Sequence, residues 1–208
     1  MADPLRIVVV SHDAAPPAID APQGADLDER ARILHLGLLD AGHRIVAVLP
    51  PDPFLADRIR QLAPDAVIVD ARSDARDAVE HVVCATRDHP RPIVLFTEIE
   101  DAALARQAIA DGVTAYIVRG LQAHRVQSIL AVACARFERE QALRAELAEV
   151  RGQLADRKLI DQAKGLLMRR QRIDEAEAWR RLRKASMDRG LKVAEVARRL
   201  VEAADLLG

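Results

Sequence analysis

The chain of 208 residues carries a formal net charge of −1, and 50% of its residues are hydrophobic although only 2% are aromatic. This length suits one large domain or two small ones. The apolar runs are too short for a signal peptide or a membrane span, and Cys84 and Cys134 form neither a CxxC motif nor a metal-ligand spacing. We therefore expect a reduced, cytoplasmic protein without a membrane segment.

Charge is unevenly distributed along the chain. Residues 1–120 contain 12 basic and 19 acidic side chains, residues 121–156 contain 5 of each, and residues 157–208 contain 14 basic and 8 acidic ones. Such asymmetry suggests a polyanionic partner for the basic end, and a merely solvated helical surface is the alternative.

The first 120 residues alternate short β-rich runs with helical patterns. The runs are almost continuously apolar, which is typical of strands covered by helices on both faces of a parallel sheet. The alternation predicts an α/β, flavodoxin-like domain with a five-stranded parallel sheet and any ligand site at the carboxyl ends of the strands. The predicted strands span residues 5–11, 43–50, 65–71, 91–97 and 114–120, and helical patterns lie near residues 28–41, 52–62, 74–88 and 99–111.

From residue 121 onward the pattern is helical, without strands. One apolar stripe repeats at steps of four, three and four residues and is flanked by charges. Two heptads are fewer than the three or four that identify a coiled coil, but an apolar stripe on a projecting helix needs a partner. We expect a coiled-coil dimer seam, with packing onto the chain's own first domain as the alternative. The seam residues are Leu143, Leu147, Val150 and Leu154.

Two further helices complete a small three-helix bundle. Asp174 with Glu177 resembles a capping box at the start of one helix, and Gly190 separates that helix from the next. We divide the chain into a domain at residues 1–120, a helical linker at 121–156 and a basic module at 157–208.

The first domain resembles a response-regulator receiver, because "VIVD" closes its third strand and "LFT" its fourth. The resemblance implies that Asp70 occupies the phosphoacceptor position, Thr97 the switch-hydroxyl position and Arg119 the position of the essential lysine. Phosphoryl transfer also needs an acidic pair that holds Mg²⁺, but strand one ends in Ser11 and His12 with only Asp13 beyond them. An arginine does not replace the compact charge of a lysine. We therefore expect a pseudo-receiver that docks a partner, with Asp70 inactive.

The stretch "IDQAKGLLMRR", residues 160–170, holds a glycine inside a helical pattern, which costs about 1 kcal/mol relative to alanine. A helical wheel places Lys164, Gly165 and Arg169 on the outward face. A position without a side chain between two cations lets a sugar-phosphate backbone approach closely. A tolerated surface glycine is the alternative.

The next helix places Trp179 on its more apolar side, so we interpret this residue as a core anchor rather than a stacking platform. Recognition of a polyanion would then depend on cations and backbone donors. Lys184 and Lys192 are candidate phosphate contacts, and Arg170 is a further one.

The C-terminal motifs "DQAKGLLM" and "RIDEAEAWRRLRKASMDRGLKVAEVARRL" resemble the ANTAR module of RNA-binding transcription antiterminators, and the whole chain resembles NasT-type nitrate/nitrite-assimilation regulators. The resemblance implies a homodimer that binds tandem stem-loops in a leader RNA and prevents formation of a terminator hairpin. It also implies control by a nitrate/nitrite-sensing protein. The nucleic-acid contacts expected here are Lys164, Gly165, Arg169, Arg170, Lys184 and Lys192.

Two other classes of function remain open. A phosphorylation-switched response regulator that binds DNA would need an intact acidic pocket, and a protein-interaction adaptor would leave the basic charge unused. Because the sequence lacks a P-loop, an HExxH motif and a nucleophile elbow, we expect no enzymatic activity, no metal site and no cofactor.

Overall fold

The computed structural model describes residues 4–11, 29–71 and 75–206. Across these ranges the chain forms five strands and seven helices and divides into two compact units, Met1–Glu140 and Gln141–Gly208. The elements are β1 (Arg6–Ser11), α1 (Glu29–Asp40), β2 (Arg44–Leu49), α2 (Leu55–Leu62), β3 (Ala66–Ala71), α3 (Ala75–Thr86), β4 (Ile93–Thr97), α4 (Ala102–Asp111), β5 (Ala115–Val118), α5 (Ala123–Gln171), α6 (Glu175–Arg189) and α7 (Val193–Leu206).

The first unit is built on a parallel sheet with strand order β2-β1-β3-β4-β5, as the sequence predicts. Every neighbouring pair is parallel, and the register sets Ser11 beside Asp70 and Ala71 beside Thr97 at the carboxyl ends. Strands β3 and β4 are buried throughout. The expectation of burial on both faces is wrong for β2 and β5, which are only partly buried because they form the two edges.

Two hydrophobic cores cover the two faces of the sheet. Successive residues of a strand point to opposite faces, so Val8 and Val10 of β1 join the core shared with α2, α3 and α4, whereas Ile7 and Val9 join the core shared with α1 and α5. Helix α1 lies close to the start of α5 at Gly37, where a Cβ would stand 2.7 Å from the carbonyl oxygen of Ala123. The first unit is therefore a helix–sheet–helix sandwich.

The second unit contains the rest of α5 together with α6 and α7. Its core is small and includes Ala163, Leu182, Val196 and Ala197. Helix α6 begins after Asp174, whose carboxylate accepts a hydrogen bond from the amide of Glu177 at 2.7 Å, so the predicted N-cap is present.

Helix α6 ends at Gly190, which has a left-handed φ of 63°. The amide of Leu191 donates to the carbonyl of Ser186 at 3.0 Å, and the Ser186 hydroxyl donates to the carbonyl of Leu191 at 2.7 Å. Glycine suits this position because its φ > 0 carries no Cβ penalty. The three-part division of the chain stays a prediction, since the boundary between the two compact units falls inside α5.

Candidate nucleic-acid interface and receiver pocket

The carboxylate of Asp70 lies at the end of β3 and is only 8% exposed. Its Oδ1 accepts hydrogen bonds from Nε of Arg30 at 3.1 Å and from Nη2 of Arg30 at 2.5 Å. Arg30 also forms an ion pair with Glu98, which follows β4. One arginine from α1 thus holds acidic groups at the ends of two neighbouring strands.

Arg30 thus occupies one oxygen of the Asp70 carboxylate with two hydrogen bonds. Arg30 was not among the residues expected from the sequence, because 40 positions separate it from Asp70. Its position in the sequence could have indicated a partner. Arg30 lies in the first turn of a helix, where the partial positive charge of the helix dipole disfavours a cation unless an acidic group compensates it.

The other predicted pocket residues take different positions. Thr97 is buried, and its hydroxyl accepts a hydrogen bond from the amide of Ile99 at 3.1 Å. Arg119 adopts a left-handed φ of 49°, and its amide donates to the carbonyl of Thr97. Within the part of the chain that the structure describes, the exposed Arg119 side chain forms no ion pair with Asp70 or any other residue. Asp13 lies outside the described residues.

In the second unit, Lys164 is held between two carboxylates. Its Nζ lies 2.7 Å from Oδ1 of Asp161 and 2.7 Å from Oε1 of Glu175. The hydrogen bond to Asp161, and secondly that to Glu175, raises the pKa of Lys164. These contacts fasten α5 to the first turn of α6, and they balance the charge that Lys164 would otherwise present to a ligand. Its assignment as a nucleic-acid contact stays a prediction.

Neighbouring arginines on α6 are also paired with acidic groups. Arg180 and Arg181 share the carboxylate of Glu177, at 2.8 and 3.0 Å, and Arg181 contacts the side-chain oxygen of Gln171. These contacts reduce the charge that the first half of α6 offers to a ligand.

A second group of cations in this unit is exposed and makes no ion pair or side-chain hydrogen bond with any described residue. An unpaired surface cation keeps its full charge for an external anion. Four of the predicted contacts belong to this group, namely Arg169, Arg170, Lys184 and Lys192. The group also contains six residues that were not among the predicted contacts, namely Arg151, Arg157, Lys158, Arg172, Arg183 and Arg189.

Gly165 lies one helical turn before Arg169, on the same side of α5. A Cβ added to Gly165 would meet one atom within 4 Å, Nη1 of Arg169 at 3.5 Å, which is an ordinary van der Waals distance. An alanine would therefore fit at Gly165 without any shift of the helix. Packing within the unit does not require this glycine.

Trp179 is 40% exposed and does not belong to the core of the second unit, so the prediction of a core anchor is wrong. The buried positions of α6 include Ala178 and Leu182, and each residue turns the helix by about 100°, which places Trp179 at the edge of the buried face. The core is lined by alanines such as Ala163 and Ala197, which are fully buried. Small side chains let helices approach closely and leave no volume for an indole.

The ANTAR domain family model matches residues 148–201. The transcriptional regulatory protein PdtaR of Mycobacterium tuberculosis is 30% identical to this chain over 139 residues, which cover 67% of this chain and 68% of that protein. The chain belongs to the family of ANTAR-domain transcriptional regulators.

Two other known proteins are similar to parts of this regulator. The nitrate regulatory protein of Klebsiella oxytoca is 43% identical over 61 residues, 29% of this chain and 15% of that protein. The crystal structure of a receiver domain of a modulated diguanylate cyclase from Desulfovibrio desulfuricans G20 covers 66% of this chain and 99% of that chain, with a TM-score of 0.50 and 19% identity. The receiver fold and the ANTAR module inferred from the sequence are confirmed.

In this ANTAR regulator the four predicted seam residues on α5 are all exposed, between 49% and 56%. They are Leu143, Leu147, Val150 and Leu154.

The described residues contain neither a membrane-spanning helix nor a cluster of metal ligands. None of their helices is both long and apolar enough to cross a bilayer. No group of three or more His, Cys, Asp or Glu side chains among them is arranged to hold a metal ion.

Proposed function

We propose that this ANTAR regulator is a homodimeric transcription antiterminator, without enzymatic activity or a cofactor, that binds two adjacent stem-loops in a leader RNA. By holding these loops it prevents the terminator hairpin from forming. The observation that carries the proposal is the set of exposed, unpaired cations in the ANTAR unit, one of which, Arg169, lies beside Gly165. The four predicted members of the set are Arg169, Arg170, Lys184 and Lys192.

The distribution of ion pairs divides the basic residues by role. Lys164 is held by two carboxylates and joins α5 to α6, so it is suited to fixing the shape of the module. The unpaired cations are suited to phosphate contacts, each of which releases a condensed counterion when it forms. Four phosphate contacts per copy correspond to a slope of about −3 in a plot of log Kobs against log salt.

Dimerisation through α5 follows from the exposed seam. With Leu147 and Leu154 at heptad positions a and Leu143 and Val150 at positions d, Glu146 falls at g and Arg151 at e. A parallel pair places Glu146 of one copy beside Arg151 of the other, whereas an antiparallel pair brings basic e positions together. The charges flanking the seam therefore favour a parallel dimer, which would carry two ANTAR modules to two stem-loops.

Control by a docked sensor protein, rather than by phosphorylation, accounts for the receiver unit. Arg30 holds Asp70 in a nearly buried ion pair, which opposes phosphoryl transfer to that carboxylate. The similarity to a nitrate regulatory protein supports a nitrate/nitrite-sensing partner and nitrate-assimilation genes as the target. The alternative, a phosphorylated regulator that binds DNA, would need this ion pair to open.

The proposal is tested by titrating the full chain against a leader RNA with two adjacent stem-loops from the organism that encodes the chain. A single-loop RNA and duplex DNA of equal length serve as controls, each at two salt concentrations. We expect tight binding only to the two-loop RNA. Equal and steeply salt-dependent binding to all three would mean a generic polyanion surface and would contradict the proposal.

A further inference from the structure

Trp179 is the single tryptophan of a chain that has five aromatic residues in all. Its side chain is 40% exposed, the core of the ANTAR unit forms without it, and its indole N–H has no hydrogen-bond partner among the described residues. Tryptophan is buried on average, and a buried indole N–H usually finds a partner. Trp179 therefore lacks the usual features of a structural tryptophan, and its accessible ring needs another explanation.

The face of α6 that carries Trp179 contains one acidic residue, Glu175, which lies one helical turn before the indole and is paired with Lys164 at 2.7 Å. At about 100° per residue, Ala176, Arg180, Arg183 and Met187 lie within a quarter to a third of a turn of Trp179. Arg183 lies one helical turn after the indole and makes no ion pair with any described residue, and Met187 is 72% exposed. The face thus combines an exposed aromatic ring and a thioether with arginine side chains.

We propose that Trp179 is a base-stacking residue: an unpaired base of an RNA loop lies against its indole ring, with Arg183 beside it. The inference rests on the proposed RNA-binding function and adds a contact that is not electrostatic to it. Single-stranded loops present unstacked bases, and proteins recognise such bases by stacking them on aromatic rings and guanidinium planes.

The composition of the face favours an RNA loop over other occupants. The bases of a duplex are already stacked on one another, so a duplex has no free base face to offer. A protein partner for this face would need carboxylates placed against Arg183, whereas an RNA loop supplies both a base and a phosphate. The unpaired cations of the same unit would hold the adjoining backbone, since phosphate contacts position a nucleic acid and base contacts specify it.

The experiment uses the full-length chain and the two-stem-loop leader RNA, and Trp179 itself is the optical probe. We expect RNA to quench the tryptophan fluorescence at the same concentrations that saturate binding. The Trp179→Ala variant should bind RNA roughly 5- to 150-fold more weakly, because stacking of one base is worth about 1–3 kcal/mol. Trp179→Phe should retain most of the affinity. Phe54→Ala, which removes an exposed aromatic ring from the receiver unit, is the control and should bind RNA like the wild-type chain.

Two further readouts separate stacking from a structural or an ionic role. The salt dependence of binding should keep its slope in Trp179→Ala, since no phosphate contact is removed. Replacing loop bases one at a time by abasic nucleotides should weaken binding of the wild-type chain at one position and have little effect there in Trp179→Ala.

Tight RNA binding without quenching, or an unchanged affinity in Trp179→Ala, would overturn the stacking assignment and leave the RNA-binding proposal standing. If the wild-type chain neither binds the two-loop RNA nor shows quenching of its tryptophan fluorescence, both the stacking assignment and the RNA-binding proposal are overturned. If Trp179→Ala fails to fold, the wild-type quenching and the Trp179→Phe affinity still decide between the outcomes.

Discussion

Replacing Gly165 by alanine should stabilise the ANTAR unit and weaken its binding to RNA. Gly165 lies inside α5, where alanine is favoured over glycine by about 0.8–1.0 kcal/mol, and the added methyl group would meet only Arg169 Nη1 at 3.5 Å. The free energy of unfolding should therefore rise by up to about 1 kcal/mol. For a unit of this size, that increase corresponds to roughly 4–8 °C in the unfolding midpoint.

The same methyl group would stand where we expect the RNA backbone to approach. It would displace either that backbone or the Arg169 guanidinium, and a lost hydrogen bond to a charged group is worth roughly 1.5–3 kcal/mol. Affinity for the two-loop RNA should consequently fall by about tenfold or more. A variant that is more stable and binds less tightly would separate the role of Gly165 in binding from any role in folding.

Gly152 supplies the matched control, because it lies in the same helix and a Cβ there would meet no atom within 4 Å. Gly152→Ala should gain a similar amount of stability and bind RNA like the wild-type chain. Thermal unfolding followed by circular dichroism and an RNA titration check both variants. Wild-type affinity in Gly165→Ala would refute the close-approach reasoning, and a lower unfolding midpoint would refute the packing reasoning.

Three other predictions concern the receiver unit, the seam and the two kinds of cation. Arg30→Ala should lower the stability of the receiver unit by about 3 kcal/mol, because it leaves a nearly buried carboxylate without its cation; an unchanged urea midpoint for that unit would contradict this. Leu147→Asp should convert the dimer to a monomer in sedimentation experiments and remove the preference for two loops over one. Ala148→Asp, one position away from the seam, should do neither, and equal behaviour of the two variants would exclude the seam. Lys164→Gln should lower the unfolding midpoint of the ANTAR unit and leave the salt slope of RNA binding unchanged, whereas Lys184→Gln should leave the midpoint unchanged and reduce the slope by about 1 per copy, or about 2 for the dimer. The reverse pattern would mean that the division between paired and unpaired cations has no bearing on function.

The strands and most helices could be predicted from the sequence to within a few residues. Each strand of the sheet is a nearly continuous apolar run. The helices between the strands instead repeat their apolar residues every three or four positions. The partial burial of β2 and β5 could not be read from the same pattern, since their apolar content resembles that of inner strands. Which strand lies at an edge depends on the order of pairing, which no local pattern contains.

The candidate sites were less predictable, because they depend on contacts between distant elements. The ion pair of Arg30 with Asp70 joins α1 to β3 and leaves no local signal except a cation at a helix start. Trp179 was misplaced because a side chain at the edge of an apolar helix face can turn either into the core or toward solvent. The buried alanines of the core let the helices pack closely, which leaves the indole outside the core. This close packing cannot be read from the sequence of one helix.

Lys164 is an intermediate case. Its partner Asp161 lies three residues earlier on the same helix, which is a spacing at which side chains meet, and this contact could have been anticipated. Its second partner, Glu175, belongs to another helix and depends on how α5 and α6 pack. The outward position of Lys164 was therefore predictable, but the balance of its charge was not.

The measurement that tests the central claim most directly is single-round transcription in vitro through a leader with two stem-loops and a terminator. Purified wild-type chain, added without any partner protein, should raise the fraction of transcripts that pass the terminator. A variant with both Arg169→Glu and Lys184→Glu should not. An unchanged read-through fraction at protein concentrations that saturate the leader RNA, or equal activity of the charge-reversed variant, would contradict the account.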